Sequence, residues 1–123
     1  MTATGKNILI VDDTPENITA LSAILAPFGK IKAATSGEKA LKICAGDPKP
    51  DLVFLDILMP EMDGWEVLKR LKADPATAAI PVIYVTALAS EEDRGKATSL
   101  GAAGFITKPL DPETIQSLVA SMI

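Results

Sequence analysis

The chain contains no histidine. An imidazole base, a histidine metal ligand and a phosphohistidine of its own are therefore excluded. Any phosphorylating histidine must lie on another protein or another domain. The single cysteine, Cys44, rules out an internal disulfide and suits a reducing compartment. No apolar run is long enough to cross a bilayer. The stretch from Met1 to Lys6 is short and polar, unlike a signal peptide. There is no basic stripe, and the net charge of -4 gives no general attraction to nucleic acid or to anionic membranes. These absences predict a cytoplasmic location, with neither nucleic acid nor membrane as a direct partner.

What is present fits one domain: 123 residues, 48% of them hydrophobic and 23% charged. Short apolar runs at Ile8–Val11, Leu52–Leu55 and Val82–Val85, a weaker one at Ile31–Ala34 and a fifth at Ala103–Ile106 read as strands buried on both faces. Between them lie helical spacings: Ile18, Leu21, Leu25 and Phe28; Ala40, Leu41 and Cys44; Val67, Leu68 and Leu71; and Ile115, Leu118, Val119 and Met122. Thr14-Pro15 and Asp111-Pro112 read as an N-cap followed by proline at the first helical position, and Asp63 to Glu66 and Ser90 to Asp93 as capping boxes. Strand and helix thus alternate five times along the chain. Alternation implies parallel strands joined by right-handed crossovers. The expected fold is α/β, a doubly wound (βα)5 flavodoxin-like three-layer sandwich with a parallel five-stranded sheet in the order 2-1-3-4-5.

In such sheets ligands bind beyond the carboxyl ends of the strands, here in the crevice between strands 1 and 3. Asp12 and Asp13 follow strand 1, Asp56 follows strand 3, Thr86 follows strand 4 and Lys108-Pro109 follows strand 5. Converging carboxylates repel one another, and a hard divalent cation removes the conflict. Mg²⁺, or Mn²⁺, held this way suits phosphoryl chemistry, in which a carboxylate can be the nucleophile. The Thr86 hydroxyl and the Lys108 ammonium suit the oxygens of the transferred group.

Four segments carry a resemblance: Ile8 to Asp13, Leu55 to Gly64, Pro81 to Ala87 and Gly104 to Pro109. Together, in this order and at these separations, they resemble the receiver domain of bacterial two-component response regulators over nearly the whole chain. The resemblance implies a single receiver domain over residues 1–123 with no output domain within it. It implies Asp56 as phosphoacceptor, Asp13 and Asp56 as direct metal ligands, Asp12 holding a metal-bound water, and the backbone carbonyl of Leu58 as a further ligand. It also implies that Thr86 swings toward the phosphoryl group, that Lys108 contacts that group and pairs with Asp56 beforehand, that Lys108-Pro109 is cis, and that Phe105 is the aromatic switch. Leu58 and Leu88 flank the family's phosphoryl site, and being apolar they cannot orient an attacking water, so slow self-dephosphorylation is expected. Small Ala87 leaves the site open to small phosphodonors.

The partner implied is a sensor histidine kinase or a histidine phosphotransfer protein, and a homodimer through the helix 4–strand 5–helix 5 face stays open. The chain is expected to be a signalling domain that takes part in its own phosphorylation and dephosphorylation, not a turnover enzyme. Two other functions compete. A flavodoxin-like electron carrier would need hydroxyls and backbone donors after strand 1, where Asp12, Asp13 and Pro15 stand. An aspartate-nucleophile phosphatase would place a second carboxylate where Leu58 stands. A stand-alone phosphorelay shuttle and a receiver cut from a longer chain both remain, the abrupt Ser121-Met122-Ile123 ending leaning toward the second. The segments Val11–Asn17 and Lys108–Pro112 resemble receivers of hybrid kinases and cyclic-dinucleotide regulators. Elsewhere plain structural roles are expected: Asp63 as an N-cap, Trp65 as a partly exposed helix residue, Met59-Pro60 shaping a loop, Glu91 to Arg94 as a solvated helix start, Cys44 as core, and Lys69, Arg70 and Lys72 as helix surface.

Overall fold

Apolar residues without a polar break give a strand nothing to turn toward water, so such strands settle in the middle of a sheet with helices on both sides. The computed structural model describes residues 6–87 and 90–122. In chain order these form β1 (Lys6–Val11), α1 (Pro15–Leu25), a 3-10 turn (Ala26–Phe28), β2 (Gly29–Ala34), α2 (Gly37–Ala45), β3 (Leu52–Leu55), α3 (Gly64–Ala73), β4 (Val82–Thr86), α4 (Glu91–Ser99), β5 (Gly104–Thr107) and α5 (Pro112–Met122). The sheet is parallel throughout, in the order β2-β1-β3-β4-β5. Strands β3 and β4 are buried at every position, whereas the edge strand β2 alternates and exposes Lys30 and Lys32.

The two-residue period of a strand divides the core into two layers. Leu9, Val11, Val53, Leu55, Val82 and Tyr84 face α2, α3 and α4. Ile8, Ile10, Leu52, Phe54, Ile83 and Val85 face α1 and α5. No helix among the described residues is long and apolar enough to cross a membrane.

Several local expectations change. Helix α1 ends at Leu25 and Phe28 lies in the following 3-10 turn, because Pro27 has no N–H to extend the α-helical ladder. Thr14 precedes Pro15 at the start of α1 but makes no side-chain capping bond. Asp63 caps α3 by accepting the Glu66 N–H at 3.0 Å, while Glu66 turns to Arg70 at 2.9 Å. Lys72 is not plain surface: its ammonium donates to the Ala78 carbonyl at 2.9 Å, tying the loop before β4 to α3. In the same loop Thr77 is buried and its hydroxyl donates to the Leu71 carbonyl at 2.7 Å. Lys108-Pro109 is cis, and so is Asp47-Pro48, which nothing in the sequence pattern announced.

Candidate functional site

Register builds the site. Val11 pairs with Leu55, so Asp12 and Asp56 leave neighbouring strands at the same level. The Asp56 N–H donates to the Val11 carbonyl at 2.9 Å, which extends the ladder by one step and holds the carboxylate at the strand end. Thr86 pairs with Thr107, and the Lys108 N–H donates to the Thr86 carbonyl at 2.9 Å. The same device thus aims Lys108 back across the crevice.

The Lys108 ammonium lies 3.3 Å from Asp12 Oδ2 and 3.4 Å from Asp56 Oδ2. The expected Lys108–Asp56 pair is therefore shared with Asp12. Both carboxylates are buried, Asp12 at 5% exposure and Asp56 at 7%. The second oxygen of Asp12 accepts the Thr14 N–H at 2.9 Å, so the residue also steadies the start of α1. The second oxygen of Asp56 accepts the Leu58 N–H at 3.3 Å. Burial raises the pKa of Asp56 above its ordinary 3.8, with the Asp12 charge adding to the rise, against the opposing pull of Lys108 and the Leu58 N–H.

Asp13 is exposed at the rim. One carboxylate oxygen each from Asp12, Asp13 and Asp56 can be chosen so that all lie within 4.8 Å of one another. An all-oxygen donor set of this charge fits Mg²⁺ or Mn²⁺ and lacks the nitrogen or sulfur donors that softer metals prefer. Thr86 is fully buried at the end of β4. The Leu58 side chain, 55% exposed, stands out toward solvent beside Asp56. Leu88 lies outside the described residues. Phe105 is half-buried against the core, with the Arg94 guanidinium 5.0 Å from its ring centroid. Cys44 is remote from this chemistry, and burial pushes its thiol up to about 11, which keeps it unreactive.

Two residues near the site went unnoticed in the sequence. Asn17 lines a water-sized cavity of about 10 Å³ together with Asp12, Asp56 and Lys108. Its place in the first turn of α1, four residues after Asp13, was the available signal. Tyr84, two residues before Thr86 on the same strand face, is fully buried and its hydroxyl donates to the Gly64 carbonyl at 2.9 Å.

Comparisons with known proteins agree with this geometry. A family model described as the response regulator receiver domain matches residues 8–120. A probable cyclic di-GMP phosphodiesterase of Vibrio cholerae is 47% identical over 112 residues, which are 91% of this chain and 25% of that protein. Protein PilH of Pseudomonas aeruginosa is 37% identical over 118 residues, 94% of this chain and 96% of its own. The solved signal receiver domain of a signal transduction histidine kinase from Syntrophus aciditrophicus superposes with a TM-score of 0.84 at 35% identity, over 95% of this chain and 89% of that one. The chain spans about a quarter of the length of the phosphodiesterase and a nearly complete PilH. With five parallel strands in the order 2-1-3-4-5 and a family match over most of its length, the chain belongs to the response regulator receiver domain family.

Proposed function

We propose that this chain is the phosphoacceptor switch of a two-component or phosphorelay system, with Asp56 as the acceptor. One observation carries the reading: a buried carboxylate just past the central strand β3, level with an acidic pair and in contact with the lysine that follows β5. An Asp56 oxygen attacks the phosphorus of a partner's phosphohistidine. The P–N bond breaks as the P–O bond forms, and the imidazole leaves as the neutral ring, keeping the proton already on its other nitrogen. Lys108 and Thr86 hold the phosphoryl oxygens, and Lys108 gives up part of its contact with Asp12 to do so. Asp13, Asp56, the Leu58 carbonyl and, through water, Asp12 would hold Mg²⁺ or Mn²⁺, which supplies charge neutralisation on the transferring group. Movement of Thr86 toward the phosphoryl group opens room for Phe105 to turn inward, and the α4–β5–α5 face presents that change to a partner.

The donor is a sensor histidine kinase or a histidine phosphotransfer protein, and the setting is the cytoplasm. Residues 1–123 act as one receiver domain whose output lies with a partner or a further domain. Phosphorylation and its reversal at Asp56 are the only chemistry proposed for it. The test is intact mass after incubation with Mg²⁺ and acetyl phosphate. The wild type gains one phosphoryl group and Asp56→Asn gains none. No gain in the wild type, from this donor or from a histidine kinase, defeats the proposal.

Apolar Leu58 and Leu88 can themselves orient no hydrolytic water, so the phosphoryl group is long-lived for this family. Placing glutamine at both positions shortens its half-life. A half-life that stays the same or lengthens counts against this part of the reading.

A further inference from the structure

Tyr84 has no part in the proposed chemistry, yet its position is unusual. In the sheet register it stands between Leu55, the residue before Asp56, and Phe105. Its side chain is among the largest fully buried ones. Its ring meets Trp65 edge to face with centroids 5.0 Å apart, and Phe105 with centroids 6.3 Å apart. Its hydroxyl donates to the Gly64 carbonyl in the first turn of α3. Burial, and the charge of Asp63 nearby, push its ionisation upward, so the hydroxyl remains a neutral donor.

Gly64 in turn is pressed against the phosphoacceptor. Its N–H donates to the Ile57 carbonyl at 2.8 Å. A Cβ placed on it would collide with the Asp56 carbonyl oxygen and come within 2.7 Å of the Ile57 Cα. The backbone that carries Asp56 therefore rests on Gly64, and Gly64 is fastened from below by Tyr84. A displacement of that backbone reaches the Tyr84 ring through Gly64 and its two hydrogen bonds, and the ring meets that of Phe105.

We propose that Tyr84 is a positioning residue that couples the Asp56 loop to Phe105, its hydroxyl seating Gly64 behind the phosphoacceptor and its ring bearing on the aromatic switch. This rests on the reading of Asp56 as phosphoacceptor. Coupling of this kind needs a contiguous set of contacts with two arrangements, and the hydroxyl is the link that can be removed without altering the ring.

Tyr84→Phe keeps both ring contacts and deletes the hydrogen bond. The chain's single tryptophan, Trp65, reports on the array by its emission. Three quantities are measured on wild type and variant: the rate constant for phosphorylation by acetyl phosphate at saturating Mg²⁺, the change in Trp65 emission on phosphorylation, and the urea midpoint. A net hydrogen-bond contribution of about 1 kcal/mol converts to a phosphorylation rate about fivefold lower in the variant. The emission change is expected to shrink with it. A lower urea midpoint with the rate and the emission change both at wild-type values shows a purely structural role and overturns the proposal. If Tyr84→Phe does not fold, Phe105→Leu reads the array from its other end. Loss of the Phe105 ring must alter the Trp65 emission change, and an unaltered one overturns the coupling. A wild type that gains no mass breaks the phosphoacceptor reading itself, and the proposal falls with it. A phosphorylated wild type with an indifferent Tyr84→Phe breaks the inference alone.

Discussion

Helices α3 and α4 follow adjacent central strands and have nearly equal lengths, 10 and 9 residues, yet they are held by different forces. Helix α3 buries Gly64, Val67, Leu68 and Leu71. Helix α4 buries only Ala97 among its residues, and two cations on it reach over aromatic rings, Arg94 over Phe105 at 5.0 Å and Lys96 over Trp65 at 4.4 Å. Burying a valine or leucine side chain stabilises by roughly 1.5–3 kcal/mol. A solvent-exposed cation–π contact contributes about 0.5–1 kcal/mol. The helix behind Asp56 is thus anchored by apolar burial, whereas the helix beside Phe105 rests on contacts that cost little to remake. Under the proposed function the chemistry at Asp56 stays fixed while one face alters, and that division suits it.

Glycines sharpen the contrast most. Gly64 begins α3 with no room for a methyl group, while a Cβ on Gly95 in α4 would meet nothing within 4 Å. Gly64→Ala is therefore expected to destabilise by about 1–3 kcal/mol or more through overpacking, and to abolish phosphorylation by displacing the Asp56 backbone. Gly95→Ala is expected to stabilise by about 1 kcal/mol, since it removes a flexible residue from a helix interior. Urea denaturation of the two variants checks this. Changes of the same sign would break the comparison.

Next in size is the charge at the strand ends. The folded-state pKa of Asp56 lies above its ordinary value, chiefly because burial penalises the carboxylate. A carboxyl group whose pKa is raised by folding favours the folded state below its unfolded pKa, and loses that advantage as pH rises through the folded value. Metal-free wild type is therefore expected to lose stability from this group as pH climbs from about 3.8 through the raised value, and Asp56→Asn removes that dependence. At neutral pH without metal the variant's urea midpoint is expected to exceed the wild type's. Added Mg²⁺ should raise the wild type's midpoint and leave the variant's nearly unchanged. A metal-free midpoint lower in Asp56→Asn would mean that the Lys108 pairing outweighs burial.

The fold was legible because β1, β3 and β4 carry the uninterrupted apolar runs Ile8–Val11, Leu52–Leu55 and Val82–Val85, and the turns between elements carry proline, glycine and capping residues. In such a sheet the carboxyl ends of all strands lie at one edge, so the proximity of Asp12, Asp13, Asp56 and Lys108 could be expected without knowing distances. What stayed hidden depends on register and on the third dimension. Only the pairing of Tyr84 with both Leu55 and Phe105 shows that an ordinary strand tyrosine lies behind the site. Lys72 reads as helix surface until the Ala78 carbonyl is found within its reach. Asp12 shares Lys108 with Asp56 because their strands are in step, and linear order does not display step.

The smallest effect is also the most specific. Lys96→Ala removes the cation over Trp65 and leaves Ala97 and the backbone of α4 in place. The expected loss is about 0.5 kcal/mol, diminished by salt, with a shift in Trp65 emission as the ring gains contact with water. Leu68→Ala on α3, by contrast, leaves a hole in a closed layer and is expected to cost about 2–5 kcal/mol. Measured side by side, the two substitutions weigh one helix's grip against the other's. If Lys96→Ala costs as much as Leu68→Ala, α4 is as firmly anchored as α3, and a movable face beside Phe105 has to be sought elsewhere. If Trp65 emission stays unchanged while stability falls, the cation is not held over the ring in solution, and Lys96 supports α4 by some other contact.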